Sequence, residues 1–328
     1  MDLGAEVDRI ATETSFSGVV RLDRAGATVF ERAYGMAHRG LGVANTVDTR
    51  FAIASGTKAL TALSVMTLVE GGVLELATTA RSVLGADLPL IDDAVTVEQL
   101  LAHRSGIGDY YGEDSDPSLP VPAQDLVTTE DYLPILDGYP TRFPPGTDFR
   151  YNNGAFVVLA LIAERAAGVP FHDLVAQRVC APAGLADTEF LRSDEPDRRM
   201  ALGYLDRDGL RTNVFNLPVR GNGDGGVYTT VADWHALWRA FFAGKIVSPR
   251  LVAEMVRPRS VRPRSASDKP ARRYGLGFWL HKSSDAVFVE GYDPGVSFRS
   301  VCDPSGAFIH TVIGNTAAGA WPIAGLFV

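Results

Sequence analysis

Apolar and polar positions change period several times along the chain, and each change marks an element. After an opening stretch that reads as a helix, Phe16-Ser-Gly-Val-Val-Arg-Leu22 alternates loosely and is rich in β-branched residues. Asp23-Arg-Ala-Gly26 is a turn signal, and Thr28-Val-Phe-Glu-Arg-Ala-Tyr34 follows as a second strand, so this region predicts a hairpin. From residue 55 to 71 the period becomes 3.6, with Leu60, Leu63, Met66, Leu68 and Val69 on it and Gly71-Gly72 closing the helix. Thr96 with Gln99 three positions on predicts a capping box that opens a short helix over 96–103. Residues 104–150 are loop-rich. A strong helix is predicted over about 154–167, ended by Gly168-Val-Pro170, and another over about 231–243 with Thr230 as its cap. Trp234, Trp238, Phe241 and Phe242 fall at spacings that suit a core face of that last helix. The chain closes with strands at 276–281, 286–290 and 307–313.

Strands at both ends and helices between them predict a mixed α/β (α+β) fold. One antiparallel sheet is built from both termini and flanked by helices, with a helical region inserted and a cleft between the two. We read residues 1–328 as a single catalytic domain, with a sheet part at about 1–55 and 225–328 and a helical and loop part at about 56–224. A composition of 46% hydrophobic and 21% charged residues excludes a disordered, collagenous or coiled-coil chain. The net charge of −8 makes nucleic acid a poor partner. Cys180 and Cys302 are too few for a disulfide scaffold and leave one bridge open. No stretch approaches the roughly 18 apolar residues that span a bilayer, and Met1 to Phe16 lacks a basic and apolar leader. The expectation is therefore a cytoplasmic protein without membrane partners. Local charge departs from this mean twice. Acids crowd residues 105–141, and bases crowd 257–273, either as solvated surface loops or as two charged rims of a cleft.

The candidate chemistry begins at Ser55-Gly56-Thr57-Lys58. At a helix start this spacing puts serine and lysine on one face of the first turn, where a lysine can take the proton that makes the hydroxyl a nucleophile. Phe51-Ala-Ile-Ala54 is apolar, so the serine stands at the end of a buried segment. Phe143-Pro-Pro-Gly146 makes a rigid turn, after which Tyr151 and Asn153 sit on a loop before a helix. A tyrosine there can shuttle a proton and an Asn amide can bond a substrate carbonyl or the lysine. In Val289-Glu-Gly-Tyr-Asp-Pro-Gly-Val-Ser-Phe298, Gly291 ends an apolar strand and lets substrate lie near the backbone. The amide of Tyr292 is then placed to pair with that of Ser55 as an oxyanion hole. No Gly-x-Ser-x-Gly elbow occurs, and the six histidines show no metal-ligand spacing, so neither cofactor nor metal is expected. His103 is expected to satisfy local backbone groups. Gly221, Gly223 and Gly226 formally match a dinucleotide fingerprint but lack its βαβ context, and read as a loop near the cleft.

These residues carry a family resemblance. Phe51 to Lys58, Leu100-Leu-Ala-His-Arg-Ser-Gly-Ile107, Phe143 to Gly168, Gly225-Gly226 with Thr229-Thr230 and Asp233, and Tyr274-Gly-Leu-Gly-Phe278 together resemble the serine β-lactamase and penicillin-binding-protein superfamily. The resemblance is to its class C β-lactamase, D-aminopeptidase and esterase branch, and it covers about residues 16–315. It implies a β-lactamase/transpeptidase-like fold, Ser55 as acylated nucleophile, Lys58 as its base, Tyr151 as a second catalytic acid and base, and Asn153 as a substrate contact. The family's third motif is usually Lys-Thr-Gly or His-x-Gly, whereas this chain has Val289-Glu290-Gly291. The glycine is kept and the cation is lost. Glu290 is accordingly expected to meet a cationic group of an amine-bearing substrate. The reading is a serine hydrolase acting on small esters first, then amides such as D-amino-acid amides, then β-lactams. The alternatives are an acyltransferase of the same fold and a binding protein on this scaffold.

Overall fold

The computed structural model describes residues 3–111, 121–262 and 272–327. Helix α1 (Leu3–Thr14) buries Val7 and Ala11 and leads into strands β1 (Gly18–Arg24) and β2 (Ala27–Tyr34). The helical middle holds α2 (Thr57–Glu70), the capped α3 (Val97–Leu101) and α4 (Gly154–Ala167). Helix α5 (Val231–Phe242) follows, capped by the Thr230 hydroxyl, which accepts from the Asp233 amide. Then come β3 (Ser260–Arg262), β4 (Arg272–Tyr274), β5 (Trp279–Leu280), β6 (Val287–Asp293), β7 (Val296–Cys302), β8 (Phe308–Gly314) and α6 (Ala320–Ala324).

The eight strands form one antiparallel sheet in the order β2-β1-β8-β7-β6-β5-β4-β3. Its seam is β1 against β8, in register from Gly18↔Gly314 to Arg24↔Phe308, so the two ends of the chain pair directly as expected. Side chains alternate across the sheet. Val20 and Val312 pack with α1 and α6 on one face, while Val19 and Ile313 join the main core beneath the other. Helix α2 runs through that core and is buried on nearly every side, as a helix apolar all round must be.

Four helix expectations hold to within a residue or two. The capping box at Thr96 is complete, with the Gln99 side chain accepting from the Thr96 amide at 2.9 Å. The C-terminal strands differ more. The strand expected at 276–281 shrinks to Trp279–Leu280, and the one at 286–290 runs on to Asp293. The central strand β7 is not anticipated at all. Its Ser297, Arg299 and Ser300 break the apolar pattern, but each finds a tertiary partner, Arg299 through its ion pair with Glu290. Ser300 Oγ accepts from Trp238 Nε1 at 2.8 Å, and Ser297 Oγ donates to the Thr316 carbonyl at 2.7 Å.

The charged segments resolve in part. Glu113, Asp114 and Asp116, and Arg264, Asp268 and Lys269, lie outside the described residues, as does the Arg262 side chain. Several of the remainder are engaged locally: Glu130 pairs with Arg165, and Arg259 with Glu98 and Glu254. Cys180 and Cys302 are free, buried thiols. Among the described residues no single helix is long and apolar enough to cross a membrane.

Candidate active site

Ser55 sits in a single 3₁₀ turn, Ala54–Gly56, between the short strand Phe51–Ala52 and α2. Phe51 and Ala52 pair with Thr229 and Tyr228, which fixes the entry to this turn. Ala54 has φ 47°, a left-handed conformation that costs a non-glycine residue energy and that the buried surroundings must impose. Gly56 has no room for a side chain, because a Cβ there would lie 2.7 Å from the Phe298 ring. The sequence motif thus becomes a sharp strand-to-helix turn that presents Ser55.

Lys58, one turn into the same helical run, is only 2% exposed. Its Nζ lies 3.0 Å from Ser55 Oγ, 2.8 Å from Asn153 Oδ1 and 2.7 Å from the Asp224 carbonyl. It also lies 5.0 Å from the centroid of the Tyr151 ring. The three candidate side chains Ser55, Tyr151 and Asn153 therefore converge on one buried amine. The Asp224 carbonyl comes from the 221–226 glycine loop, which the sequence places near the cleft without marking this contact. That loop is tied to α2 by Thr61 Oγ1, which donates to the Gly223 carbonyl at 2.7 Å.

The segment bearing Tyr151 and Asn153 is held from several sides. Asp109 accepts from the amides of Asn153 and Gly154 at 3.0 and 2.8 Å, capping α4 from a distant loop. Burial raises the Asp109 carboxyl above the ordinary aspartate range, against the pull of those same amides. Asn152 Oδ1 accepts from the Ala155 amide at 2.7 Å. The Tyr151 ring stacks on Trp279, with ring planes 8° apart, and leans on His103 at 4.3 Å between centroids. Trp279 gave no sequence signal beyond being an aromatic in a strand, since only the β4–β5 hairpin brings it under Tyr151.

Strand β6 closes the other side. A Cβ on Gly291 would fall 1.9 Å from the Ile53 carbonyl, so this glycine is required by the contact between β6 and the Ser55 turn. The amide of His281 donates to the Ala286 carbonyl, so even-numbered residues of β6 turn their backbone groups toward β5. Strand β5 pairs no further than Phe288. The amide of Tyr292 therefore points to the open side, beyond the end of β5. The Tyr292 side chain itself is exposed.

Alternation also corrects one expectation. Gly291 faces the Ser55 turn, so its neighbour Glu290 projects from the opposite face. There its carboxylate is bound by Arg272 and lies 3.3 Å from Arg299 Nη1. Both of its oxygens are committed to these arginines, and Glu290 is not available to a substrate cation. Val289 is buried in the main core, so the cation lost from the third motif is replaced by an apolar packing residue. The carboxylate nearest the site on β6 is Asp293 instead. Burial pushes it up to about 7, opposed by the charge of Lys58 and reinforced by that of Asp224. Sequence reasoning missed it because only strand register distinguishes residue 293 from residue 290. Among the described residues no cluster of His, Cys, Asp and Glu suits a metal ion.

Comparison with known proteins bears on the fold and the family. The family model described as Beta-lactamase matches residues 6–328. The crystal structure of a penicillin-binding protein from Bacillus halodurans is similar with a TM-score of 0.90 and 32% identity, covering 98% of each chain. Esterase EstB of Burkholderia gladioli is 29% identical over 84% of this chain and 77% of its own. The D-aminopeptidase of Brucella anthropi is 30% identical over 81% of this chain, which spans 49% of that relative. With the fold, the glycine-bounded turn and the family match in agreement, the chain belongs to the β-lactamase family and is a serine hydrolase.

Proposed function

We propose that Ser55 is the acylated nucleophile and that Lys58 is the base that activates it. The observation that carries this reading is the count of donors and acceptors at Lys58 Nζ. Two of its three partners, Asn153 Oδ1 and the Asp224 carbonyl, can only accept. A neutral amine has two N–H donors for them and one lone pair left for the Ser55 hydroxyl, its third partner at 3.0 Å. The serine proton passes to that lone pair as Oγ bonds to the substrate carbonyl carbon, and the resulting ammonium keeps all three partners. The oxyanion is received by the amides of Ser55 and Tyr292, each placed at the end of an element where no ladder partner takes it; removal of one such donor costs about 10²–10³ in rate. Tyr151 passes a proton to the leaving group as the carbonyl re-forms. Its phenolate then takes a proton from the water that attacks the acyl carbon, and as the acyl–Oγ bond breaks Lys58 returns its proton to Ser55 Oγ, which restores the starting state. Asn153 orients Lys58 and contacts substrate, while Gly291 keeps the strand edge open.

Small esters are the proposed substrates, followed by amides. Val289 offers no charge to a substrate carboxylate, which favours uncharged acyl groups over penicillins. The activities named for the esterase and D-aminopeptidase relatives point the same way. The deciding experiment is intact-protein mass after treatment with a fluorophosphonate. Wild type is expected to gain one adduct and Ser55→Ala none, after which ester, D-amino-amide and β-lactam panels rank the substrates. A folded wild type that takes no adduct would overturn the assignment of Ser55.

A further inference from the structure

We infer that His103 is a positioning residue for Tyr151, acting through the backbone on both sides of it; this rests on the proposed role of Tyr151. His103 is 1% exposed and belongs to the loop after α3, remote in sequence from residue 151. Its carbonyl accepts from the Arg150 amide at 3.0 Å. Its ring Nδ1 accepts from the Asn152 amide at 3.1 Å. One residue thus holds the backbone amides of both sequence neighbours of Tyr151, and its ring also lies against the Tyr151 ring at 4.3 Å. Tyr151 sits in irregular chain just ahead of α4, so no ladder fixes it. A rigid placement must come from such a clamp.

Two features show that the ring is there as an acceptor. A backbone amide can only donate, so Nδ1 carries a lone pair and the ring is neutral, with its proton on Nε2. Burial and then the charge of Lys58 hold its pKa well below the ordinary histidine range, consistent with a neutral ring. Nε2 is buried and has no hydrogen-bond partner among the described residues, packed near Tyr274 and Phe156 at 4.7 and 5.0 Å between centroids. An apolar side chain would fill this position without burying that unmet donor, so packing alone does not account for a histidine. His103 also has φ 55°, a left-handed backbone that non-glycine residues seldom adopt and that tertiary contacts must maintain.

The test compares His103→Leu, which removes the acceptor, with His103→Asn. The Asn carbonyl takes the place of Nδ1, and Asn tolerates a left-handed backbone. Thermal melts establish folding. In His103→Leu, kcat is expected to fall by about 10²-fold with KM within about threefold. The Tyr151 ring resonances, assigned with Tyr151→Phe, are expected to shift or broaden. His103→Asn is expected to recover kcat to within about threefold and to restore those resonances. Should His103→Leu fail to fold, the Asn variant decides alone, and a tenfold or greater loss in it overturns the clamp. Unchanged kcat and an unmoved Tyr151 signal in a folded Leu variant also overturn it, as does equal damage in both variants. If wild type hydrolyses no ester but Tyr151 responds as expected, the hydrolase mechanism fails while the clamp stands.

Discussion

At Lys58 the chemistry depends on a single nitrogen that must be able to lose and regain a proton among fixed acceptors. Arginine cannot do this: its planar guanidinium stays charged and matches a bidentate acceptor better than three convergent ones. Lys58→Arg is therefore expected to fold and to lose at least about 10³-fold in kcat, measured by steady-state ester hydrolysis beside a thermal melt. Asp293 makes a second prediction. Its carboxyl titrates near 4 in the unfolded chain and is raised to about 7 in the fold. Between those values the folded protein binds the extra proton, so the stability it contributes is complete below about pH 4 and is lost as pH rises through about 7. Asp293→Asn should flatten the decline in melting temperature across this window and should be the more stable protein at pH 8. Parallel pH profiles for the two proteins would count against a raised Asp293 carboxyl. At this scale the Ser-x-x-Lys and Tyr-x-Asn spacings were legible, because short local motifs keep their geometry. Asp224, Trp279 and His103 as Tyr151's neighbour were not, since each reaches the site across a long separation in sequence.

Helices declared themselves more clearly than strands. Helix α5 is bounded by a capping Thr230 and carries a periodic aromatic face, and both signals are local. Strand β7 owes its place to neighbours on both edges and both faces, and its polar residues find partners only after the sheet has formed. Strand register is where function turned. A shift of one position exchanges Glu290 for Gly291 at the Ser55 turn, and the contact with Ile53 decides which of them faces it. Gly291→Ala tests this at the level of the element. The added methyl meets backbone, which cannot rotate away, so either β6 or the Ser55 turn must move. Activity is expected to drop by about 10² or more while the far-ultraviolet circular dichroism spectrum is preserved. Retention of most activity would mean that β6 does not press on the turn.

The whole molecule is tied together where its two ends meet. Asp23, on the N-terminal strand β1, is buried beside α5 and the sheet. It accepts from Arg21 Nε at 3.0 Å and from Arg239 Nη1 at 2.7 Å, with His235 Nδ1 2.9 Å away. Burial disfavours its charge, but His235, Arg21 and Arg239 outweigh that and hold the carboxyl below the ordinary aspartate range. A depressed carboxyl contributes stability above its unfolded value near 4, and that contribution is lost as pH falls further. Removing the charge strands its partners, so Asp23→Asn is expected to cost roughly 3 kcal/mol at pH 7. The gap to wild type should begin to narrow below about pH 4 and close only as pH falls through the much lower folded value. Denaturant titrations at pH 7 and pH 3 read both numbers, and a gap that persists undiminished at pH 3 would assign the cost to packing instead.

By itself the sequence determined the class of fold, the helices with their caps, and the two short motifs that hold Ser55, Lys58, Tyr151 and Asn153. All of these depend on interactions within a few residues or on hydrophobic period. Only the tertiary structure decided which face of β6 meets the nucleophile, and hence that Glu290 belongs to Arg272 and Arg299 while Asp293 stands near Lys58. It also decided what holds Tyr151 in place. The physical reason is the same in each case. A strand's side chains alternate with period two, so a single step of register reverses their sides, and the packing that sets the register comes from residues far away along the chain.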